Sequence, residues 1–301
     1  MKQNLEPRLS VLDAIGNTPL VEVDGILAKL EYLNPSGSIK ARIAKYMIER
    51  AEAEGLLGPG DVIVEASSGN TGNAMSLVAA AKGYRMRVIT AGGLTDERLQ
   101  ISRALGAEVE IVGDFHLTEA IVRAKELGSQ PGFYHPDQFD ADWNVQENQE
   151  WLGREILDQL PSDLEIDAFV MGIGTGGTII GVGRALRARF PGVRLVAVEP
   201  AESRTLLCGE VGRHEIEGIA DGLVPGIVER YGDEIDEIRS VSSDDAIREM
   251  RRLAAGFGHF VGPSSGAHMV VAKALREEFG YRNILTVFVD RGEKYLSKHF
   301  A

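Results

Sequence analysis

A glycine-rich segment, residues 172–178, has the composition of a phosphate-binding loop. It reads Gly-Ile-Gly-Thr-Gly-Gly-Thr, follows an apolar run and precedes a helical pattern. Glycines let the backbone approach a phosphate closely, and a helix N-terminus offers free N–H groups and partial positive charge. The residues also fit G-x-G-x-x-G, and Glu199 near the end of the next predicted strand completes a dinucleotide-binding pattern. The segment therefore predicts a phosphate site, with a dinucleotide as the rival ligand.

A second polar segment suits a carboxylate ligand. Residues 67–72 read Ser-Ser-Gly-Asn-Thr-Gly and lie between a predicted strand and a predicted helix. Three hydroxyls and one amide thus gather at a helix terminus that favours anions. Ordinary helix capping by serine or asparagine is the competing interpretation.

A third segment, residues 34–40, contains a lysine in an unusual position. It reads Asn-Pro-Ser-Gly-Ser-Ile-Lys and leads into an amphipathic pattern. Ser38 is placed to cap the helix, so Lys40 lies in the first turn. A cation there opposes the helix dipole, which lowers the pKa of the amine and favours a neutral nucleophile. An ordinary exposed lysine is the alternative.

The fourth segment is Gly262-Pro263-Ser264-Ser265-Gly266, which again precedes a helical pattern. Either serine is a helix cap or a ligand-binding group. The six histidines include no pair with metal-binding spacing on a helix, so we expect no metal site.

Predicted strands and helices alternate along the sequence and must position these four segments. Continuously apolar strands are typical of sheets buried on both faces, so the pattern predicts an α/β fold with parallel-rich sheets flanked by helices. The predicted strands are Val62–Ala66, Met86–Thr90, Glu108–Val112, Ala168–Gly172, Leu195–Glu199 and Ile284–Val289. The predicted helices are Ala41–Glu54, Asn73–Lys82, Thr95–Leu105, Thr118–Leu127, Asn148–Gln159, Thr178–Phe190, Asp244–Ala255 and Ala267–Phe279.

Composition narrows the class of protein. A chain of 301 residues, 44% hydrophobic, is long enough for two lobes. The formal net charge of −13 disfavours nucleic acid and anionic membranes as partners. A single cysteine, the absence of a recognisable signal peptide and the absence of a long apolar run predict a cytoplasmic protein without disulfides.

Taken together, the motifs closely resemble the cysteine synthase (O-acetylserine sulfhydrylase) family. This family belongs to the tryptophan-synthase-β-like, fold-type II group of pyridoxal-phosphate enzymes, which also includes cystathionine β-synthase. The similarity runs through nearly the whole chain, whereas the dinucleotide pattern explains one segment only. The motifs that carry it are residues 15–21, Lys29-Leu30-Glu31, 34–40, 68–72, 174–178, Gly218-Ile219, 264–267 and 290–297.

The resemblance implies a role for each matching residue. Lys40 would hold pyridoxal 5′-phosphate as a Schiff base and shuttle the α-proton of the substrate. Ser264 would face the pyridine nitrogen of the cofactor, with Ser265 as the alternative. The cofactor phosphate would bind Gly174, Thr175, Gly176, Gly177 and Thr178, and Asn70 would bind the 3′-oxygen. The substrate carboxylate would bind Ser67, Ser68, Asn70, Thr71 and Gln138.

The implied reaction is β-replacement, in which sulfide replaces the activated β-oxygen of a serine to give cysteine. The alternatives are replacement by homocysteine, use of O-phosphoserine, and β-elimination from serine or cysteine. The resemblance also implies a homodimer and two lobes. Residues 40–145 would form a small mobile lobe, and residues 1–39 plus 146–301 a large cofactor-binding lobe. Because the sequence ends at Ala301, we expect no regulatory tail.

The chain departs from the usual family pattern in three places. Ala41 replaces an aspartate, and we expect Ala41→Asp to add slight stability through the helix dipole. Residues 91–95 read Ala-Gly-Gly-Leu-Thr where the family has Pro-Glu-x-Met-Ser, which predicts room for thiols larger than sulfide. Asp221 replaces a small residue. Residues 217–222 therefore carry two acids and no base, which favours O-acetylserine over O-phosphoserine.

Overall fold

The computed structural model describes residues 10–93, 96–114 and 116–300, and for Asp96 the backbone alone. Residues 1–9, where we expect no targeting signal, lie outside the described part of the chain, and so does Ala301. The predictions for Leu94 and Thr95, in the glycine loop and at the start of a predicted helix, also fall outside it.

The described strands form two sheets. In the larger sheet the order is β1-β2-β10-β7-β8-β9, and in the smaller sheet it is β5-β4-β3-β6. All neighbouring strands are parallel except β1 and β2. The strands are β1 Leu20–Val23, β2 Ile26–Leu30, β3 Val62–Ala66, β4 Arg85–Gly92, β5 Glu108–Asp114, β6 Phe133–Tyr134, β7 Ala168–Gly172, β8 Arg194–Pro200, β9 Glu237–Val241 and β10 Ile284–Phe288.

Helices cover the faces of both sheets. Along β7, Phe169 and Val170 belong to hydrophobic clusters on opposite faces of the larger sheet, which explains its continuously apolar sequence. Two further clusters lie on the smaller sheet. The α-helices are α1 Lys40–Ala53, α2 Asn70–Lys82, α3 Asp96–Ala104, α4 Thr118–Gly128, α5 Asp142–Glu147, α6 Arg154–Gln159, α7 Gly177–Arg189, α8 Thr205–Cys208, α9 Gly226–Tyr231, α10 Ser243–Phe257 and α11 Pro263–Phe279.

The α/β class with parallel-rich sheets is confirmed, and each predicted strand lies on an observed one. Four short strands were not predicted: β1, β2, β6 and β9. Among the described residues, no helix is both long and apolar enough to span a membrane.

Several helix starts were wrong. The N-cap of α1 is Ile39, which makes no side-chain capping bond, so Ser38 is not the cap. Helix α2 begins three residues before the predicted Asn73, and α11 begins at Pro263, a favourable first helical residue. The predicted helix Asn148–Gln159 is a π-helix, Asn148–Gly153, followed by α6, and α5 precedes both.

Candidate active site

Two adjoining cavities open at the carboxyl ends of β3, β7 and β10. The empty space, counted out to the open solvent at the mouth, is about 380 Å³ in the first and about 420 Å³ in the second. Both include Lys40, Gly174 and Thr175 in their walls. We call them the cofactor cavity and the substrate cavity, after the ligands that the resemblance leads us to expect beside their residues. The cofactor cavity is also lined by Gly176, Thr178 and Ser264, and the substrate cavity by Ser67, Ser68, Asn70, Thr71 and Gln138. Of the predicted site residues, Gly177 alone lies outside both walls.

Lys40 is the first residue of α1 and lies where the two cavities meet. The preceding residue Ile39 donates its backbone N–H to Val289 O at 2.9 Å, which ties this loop to the end of β10. Burial lowers the pKa of the Lys40 amine to about 8, although the carboxyl groups of Asp221 and Glu147 act in the opposite direction. Among the described residues, none accepts a hydrogen bond from this amine. Lys40 is therefore oriented by its backbone, while its amine remains available to a ligand.

A buried ionic cluster fixes the start of α1, and we call it the Arg42 cluster. The Arg42 guanidinium donates to both carboxylate oxygens of Glu31, at 2.7 and 2.8 Å, and to both of Glu155, at 2.9 and 2.8 Å. Thr18 donates its hydroxyl to Glu31 at 2.6 Å, and Lys29 forms an ion pair with Glu155. Although burial opposes it, the hydrogen bonds from Arg42 and Lys29 lower the pKa of Glu155 to about 2. The cluster thus holds the helix that carries Lys40.

Ala41 is fully buried in an apolar cluster beside Ile43 and Ala44. The expectation that Ala41→Asp adds stability assumed a solvated first turn, and the burial of Ala41 contradicts that premise. Glu147 is also fully buried nearby, and both of its carboxyl oxygens lack a hydrogen-bond partner among the described residues. Burial raises the pKa of Glu147 to about 8, so a second acid would enter a site that already disfavours charge.

We expect Ala41→Asp to lower the free energy of unfolding by at least ~1–3 kcal/mol, the usual cost of a buried polar group without a partner. The same change at Ala53, which is exposed at the end of α1, should cost under ~1 kcal/mol. Urea denaturation of the two variants provides the comparison. Equal midpoints would show that position 41 has a partner for the carboxylate.

The glycine-rich segment has the backbone needed to hold a phosphate. Gly176 is the N-cap of α7 with φ of +88°, a conformation that favours glycine. A Cβ at Gly174 would lie 2.7 Å from Gly218 O, so the backbone is closely packed there. Thr175 Oγ1 accepts a hydrogen bond from Asn144 Nδ2 at 2.9 Å, which fixes the loop. The start of a 13-residue helix opening into the cofactor cavity therefore suits an anionic phosphate.

The dinucleotide interpretation was wrong. Glu199 is 1% exposed and lines neither cavity. Its carboxylate accepts hydrogen bonds from the backbone N–H groups of Leu206 and Leu207, at 2.9 and 3.3 Å. The acid that would bind a ribose is therefore occupied by the start of α8.

The serine-rich segment lines the substrate cavity with Ser67, Ser68 and Thr71. The N-cap of α2 is Gly69, which has no side-chain capping bond, so the interpretation as ordinary capping by serine or asparagine was wrong. Ser67 Oγ instead accepts from the backbone N–H groups of Gly69 and Gly72, at 3.0 and 2.9 Å, from its position before the N-cap. Thr71 donates its hydroxyl to Gln138 Oε1 at 2.6 Å, and Gln138 Nε2 donates to Ala66 O at 2.8 Å. These contacts bring residues from β3, α2 and the loop after β6 onto one wall of the substrate cavity.

Asn70 is held by two residues to which the sequence assigned no role, Lys294 and Asp290. Its Oδ1 accepts from Lys294 Nζ at 2.7 Å, and its Nδ2 donates to Asp290 Oδ2 at 2.7 Å. Tyr295 donates its hydroxyl to the same Asp290 oxygen at 2.6 Å and accepts from Arg98 Nη2 at 2.7 Å. This buried chain fixes which side of the Asn70 amide donates, and it explains the motif at residues 290–297.

The two candidate serines of α11 differ in their surroundings. Ser264 lines the cofactor cavity, whereas Ser265 Oγ accepts from the backbone N–H of Val289 at 3.0 Å. His268, which sequence reasoning did not single out, accepts from Gly172 N at 2.7 Å through Nε2 and bonds Val287 O at 3.0 Å through Nδ1. Burial lowers the pKa of His268 to about 4, so it is a neutral link between α11 and the strand ends.

The loop at residues 217–222 has two acids in its sequence, but basic side chains from elsewhere in the chain lie beside one of them. Arg98 Nη1 lies 3.0 Å from Glu217 Oε2, and Lys298 Nζ lies 2.9 Å from Glu217 Oε1. Arg98 also donates to Ser68 O at 3.0 Å and lines the substrate cavity. Asp221 lines the same cavity, and burial raises the pKa of its carboxyl group. A base therefore does reach this region, but it is paired with Glu217.

Comparison with known proteins identifies the family of the chain. Residues 11–290 match the family model described as pyridoxal-phosphate dependent enzyme. A cysteine synthase from Staphylococcus aureus is 39% identical over 304 aligned residues, covering 97% of this chain and 96% of that protein. A probable cysteine synthase from Bacillus subtilis is 40% identical over 297 residues, covering 95% of each. The solved O-acetylserine-dependent cystathionine β-synthase from Helicobacter pylori matches with a TM-score of 0.90 at 37% identity, covering 98% of this chain and 99% of that one.

Proposed function

Since this chain belongs to the family of pyridoxal-phosphate-dependent enzymes, we propose that it catalyses β-replacement on a β-activated serine. O-acetylserine is the favoured donor and sulfide the acceptor, and the product is cysteine. The observation that carries the proposal is the Lys40 amine, which lies at the junction of the two cavities with no acceptor among the described residues.

The residues of the cofactor cavity fit pyridoxal phosphate. The start of α7, with Gly174, Gly176 and Thr178, would hold its phosphate, and Ser264 would face its ring nitrogen. A neutral hydroxyl does not enforce a protonated ring as a carboxylate would, which suits elimination at the β-carbon more than transamination. When bound, the cofactor withdraws electrons from the α-carbon of an attached amino acid, which makes the α-proton acidic and allows the β-substituent to leave.

Lys40 would supply the base. An amine with a pKa near 8 is partly neutral at physiological pH, so it accepts the α-proton and later returns it. The leaving group departs with its electron pair, and the incoming sulfur donates a pair to the same β-carbon. The proton of the incoming sulfur balances the charge of the departing carboxylate.

The wall formed by Ser67, Ser68, Thr71 and Gln138 would bind the carboxylate of the amino-acid substrate. The Thr71 hydroxyl already donates to Gln138, so the remaining hydroxyl and amide hydrogens of this wall, next to the start of α2, are the donors that favour an anion there. Asn70, fixed by Lys294 and Asp290, would donate to the 3′-oxygen of the cofactor through the second hydrogen of its amide.

Three broader parts of the proposal rest on the family resemblance. Residues 40–145 form a small mobile lobe that closes over the substrate, against a large lobe of residues 1–39 plus 146–301. The protein acts as a homodimer. It works in the cytoplasm, with small molecules as its substrates.

The choice of donor tests the proposed reaction. We expect the specificity constant for O-acetylserine to exceed that for O-phosphoserine at least about tenfold, or ~1.4 kcal/mol. The reason is that Glu217 already neutralises Arg98, and Asp221 repels a phosphate. The assay offers O-acetylserine, O-phosphoserine, serine and cysteine, each with sulfide, homocysteine or no acceptor.

A matched pair of variants sharpens this test. Asp221→Asn should reduce the ratio of the specificity constant for O-acetylserine to that for O-phosphoserine. Asp233→Asn, a change to an exposed residue, should leave this ratio unaltered. A higher specificity constant for O-phosphoserine would overturn the assignment of the donor, and product formation only in the absence of an acceptor would make the protein a lyase.

A further inference from the structure

Glu147 is a buried acid that the proposed reaction does not use. It is the last residue of α5, is fully buried and lines neither the cofactor cavity nor the substrate cavity. Among the described residues, none makes a hydrogen bond to either of its carboxyl oxygens. A buried carboxyl group without partners lowers stability, so an acid that only supported the fold would normally be paired.

The position of Glu147 in the chain places it between the glycine-rich segment and α1. One turn earlier, Asn144 donates to Thr175 Oγ1 at 2.9 Å, and Thr175 lines both cavities. About one turn later, the Arg42 guanidinium lies over the Trp151 ring, 5.2 Å from its centre. The segment that carries Glu147 therefore joins the glycine-rich segment to the helix that begins with Lys40.

The charges of the Arg42 cluster are already matched. Arg42 and Lys29 are two cations, and Glu31 and Glu155 are the two acids paired with them. The cluster therefore leaves no unmatched positive charge for a third carboxylate. The amine of Lys40, by contrast, donates to no acceptor among the described residues.

Glu147 and Lys40 titrate over the same pH range. Burial raises the pKa of Glu147 to about 8, although Arg42 and Lys40 act in the opposite direction. Burial lowers the pKa of Lys40 to about 8, against the carboxyl groups of Asp221, Glu147 and Glu65. Near the pH at which the Lys40 amine becomes able to accept a proton, Glu147 thus becomes ionised. The other ionisable groups that act on or are affected by Glu147 are Glu31, Glu155 and Tyr46.

We propose that Glu147 is a positioning residue for the base: its carboxylate stabilises the ammonium form of Lys40, so that the Lys40 amine accepts the α-proton more readily. Position 41, next to the lysine, is alanine in this chain, so α5 supplies the acid. Asp221 also acts on Lys40, but it lines the substrate cavity, whereas Glu147 lies outside both cavities. Because Lys40 is the base of the proposed β-replacement, this role deepens the proposed function and rests on it. The proton moves from the α-carbon to Lys40 Nζ and back, and Glu147 exchanges none with the substrate.

The first test measures the pKa of Lys40 in the full chain freed of cofactor. The readout is the pH dependence of acetylation by acetic anhydride, with the Lys40 peptide quantified by mass spectrometry. Glu147→Gln should lower this pKa by about 0.5–1 pH unit, because it removes a nearby negative charge. Glu150→Gln is the matched control and should leave the Lys40 pKa unchanged, since Glu150 is exposed and accepts from Tyr46 at 3.2 Å. An equal Lys40 pKa in the parent and Glu147→Gln proteins would overturn the proposal.

The second test measures the Glu147 side of the pair. Because the pKa of Glu147 is raised from its ordinary value of 4.5 to about 8, its contribution to stability is present below pH 4.5 and is lost as the pH rises to about 8. In urea denaturation, the parent should therefore lose stability across this window relative to Glu147→Gln. Lys40→Met should extend the loss to higher pH, because it removes a cation that lowers the pKa of Glu147. The same pH dependence in the parent and Glu147→Gln proteins would contradict the proposal.

Kinetics of the cofactor-loaded protein distinguish this role from a structural one. Glu147→Gln should lower the rate of the first half-reaction at saturating O-acetylserine about twofold to fivefold, because a weaker base removes the α-proton more slowly. The half-saturating concentration should not change, since Glu147 lies outside both cavities. A change in the half-saturating concentration alone would make Glu147 a structural residue.

The outcomes also separate this role from the proposed function. If Glu147→Gln lowers the Lys40 pKa but no donor alters the absorbance of the loaded protein, the coupling of the two groups stands and β-replacement is wrong. If O-acetylserine reacts but the Lys40 pKa is the same in both proteins, β-replacement stands and the role of Glu147 is wrong.

Discussion

Replacing Lys40 with alanine is expected to lower kcat/KM for O-acetylserine by at least about 10²–10⁴-fold, because the substitution removes the proposed base. It should also remove the covalent attachment of the cofactor and its absorbance band. Stability should change little, since the Lys40 amine donates no hydrogen bond to a described residue that would be left without its partner. Steady-state kinetics and an absorbance spectrum measure both effects.

The matched control is Lys45→Ala, on the same helix. Lys45 donates to Leu12 O at 3.2 Å and lies outside the two cavities, so activity should remain within about twofold. Retention of more than a tenth of the activity by the Lys40 variant would remove Lys40 from the chemistry.

Replacing Arg42 with methionine is expected to lower the free energy of unfolding by about 3–5 kcal/mol. The Arg42 guanidinium is the shared partner of Glu31 and Glu155, and Glu31 is fully buried. Removing one member of a buried ion pair leaves an uncompensated buried charge. The free energy lost in this way is much larger than the net stabilisation that the intact pair provides. Urea denaturation of the variant beside the parent protein gives the difference.

Arg50→Met provides the comparison on the same helix. Arg50 pairs with Glu54 at 3.1 Å, and both side chains are nearly half exposed, so the loss should be no more than about 0.5 kcal/mol. If the two variants are equally stable, the Arg42 cluster does not anchor the start of α1.

The parts of the candidate site that could be predicted are those marked by residue types within one short segment of the sequence. Residues 67–72 and 172–178 each join a strand to a helix, and small polar residues at that junction indicate an anion site whatever the rest of the chain does. Parallel strands then bring such junctions to the same edge of a sheet. That is why nearly all of the predicted residues line two adjoining cavities.

The parts that were missed depend on distant contacts. Lys294 bonds Asn70 across 224 residues, and Arg98 reaches Tyr295 across 197. No periodicity or spacing reveals such pairs. The burial of Ala41 was missed for the same reason, since the residues of a first helical turn are usually exposed to solvent and only the packing of distant residues buries them.

The β1–β2 hairpin was missed for a different reason. Its turn is Asp24-Gly25, both with positive φ, and Val23 pairs with Ile26 across it. An Asp-Gly pair between apolar residues is a strong hairpin signal, so this element was available to local reasoning. By contrast, β9 is only partly buried at the edge of the sheet, and its sequence carries no comparable signal.

Borohydride reduction followed by peptide mapping tests the central claim most directly. Reduction converts a lysine–pyridoxal linkage to a stable amine, so the labelled peptide identifies the lysine. Lys294 is the natural competitor, because burial also lowers its pKa to about 8, but it donates to Ser36 O, Gly37 O and Asn70 Oδ1. We predict the label on Lys40 alone. Label on Lys294 or any other lysine, or no label on protein reconstituted with pyridoxal phosphate, would contradict the account.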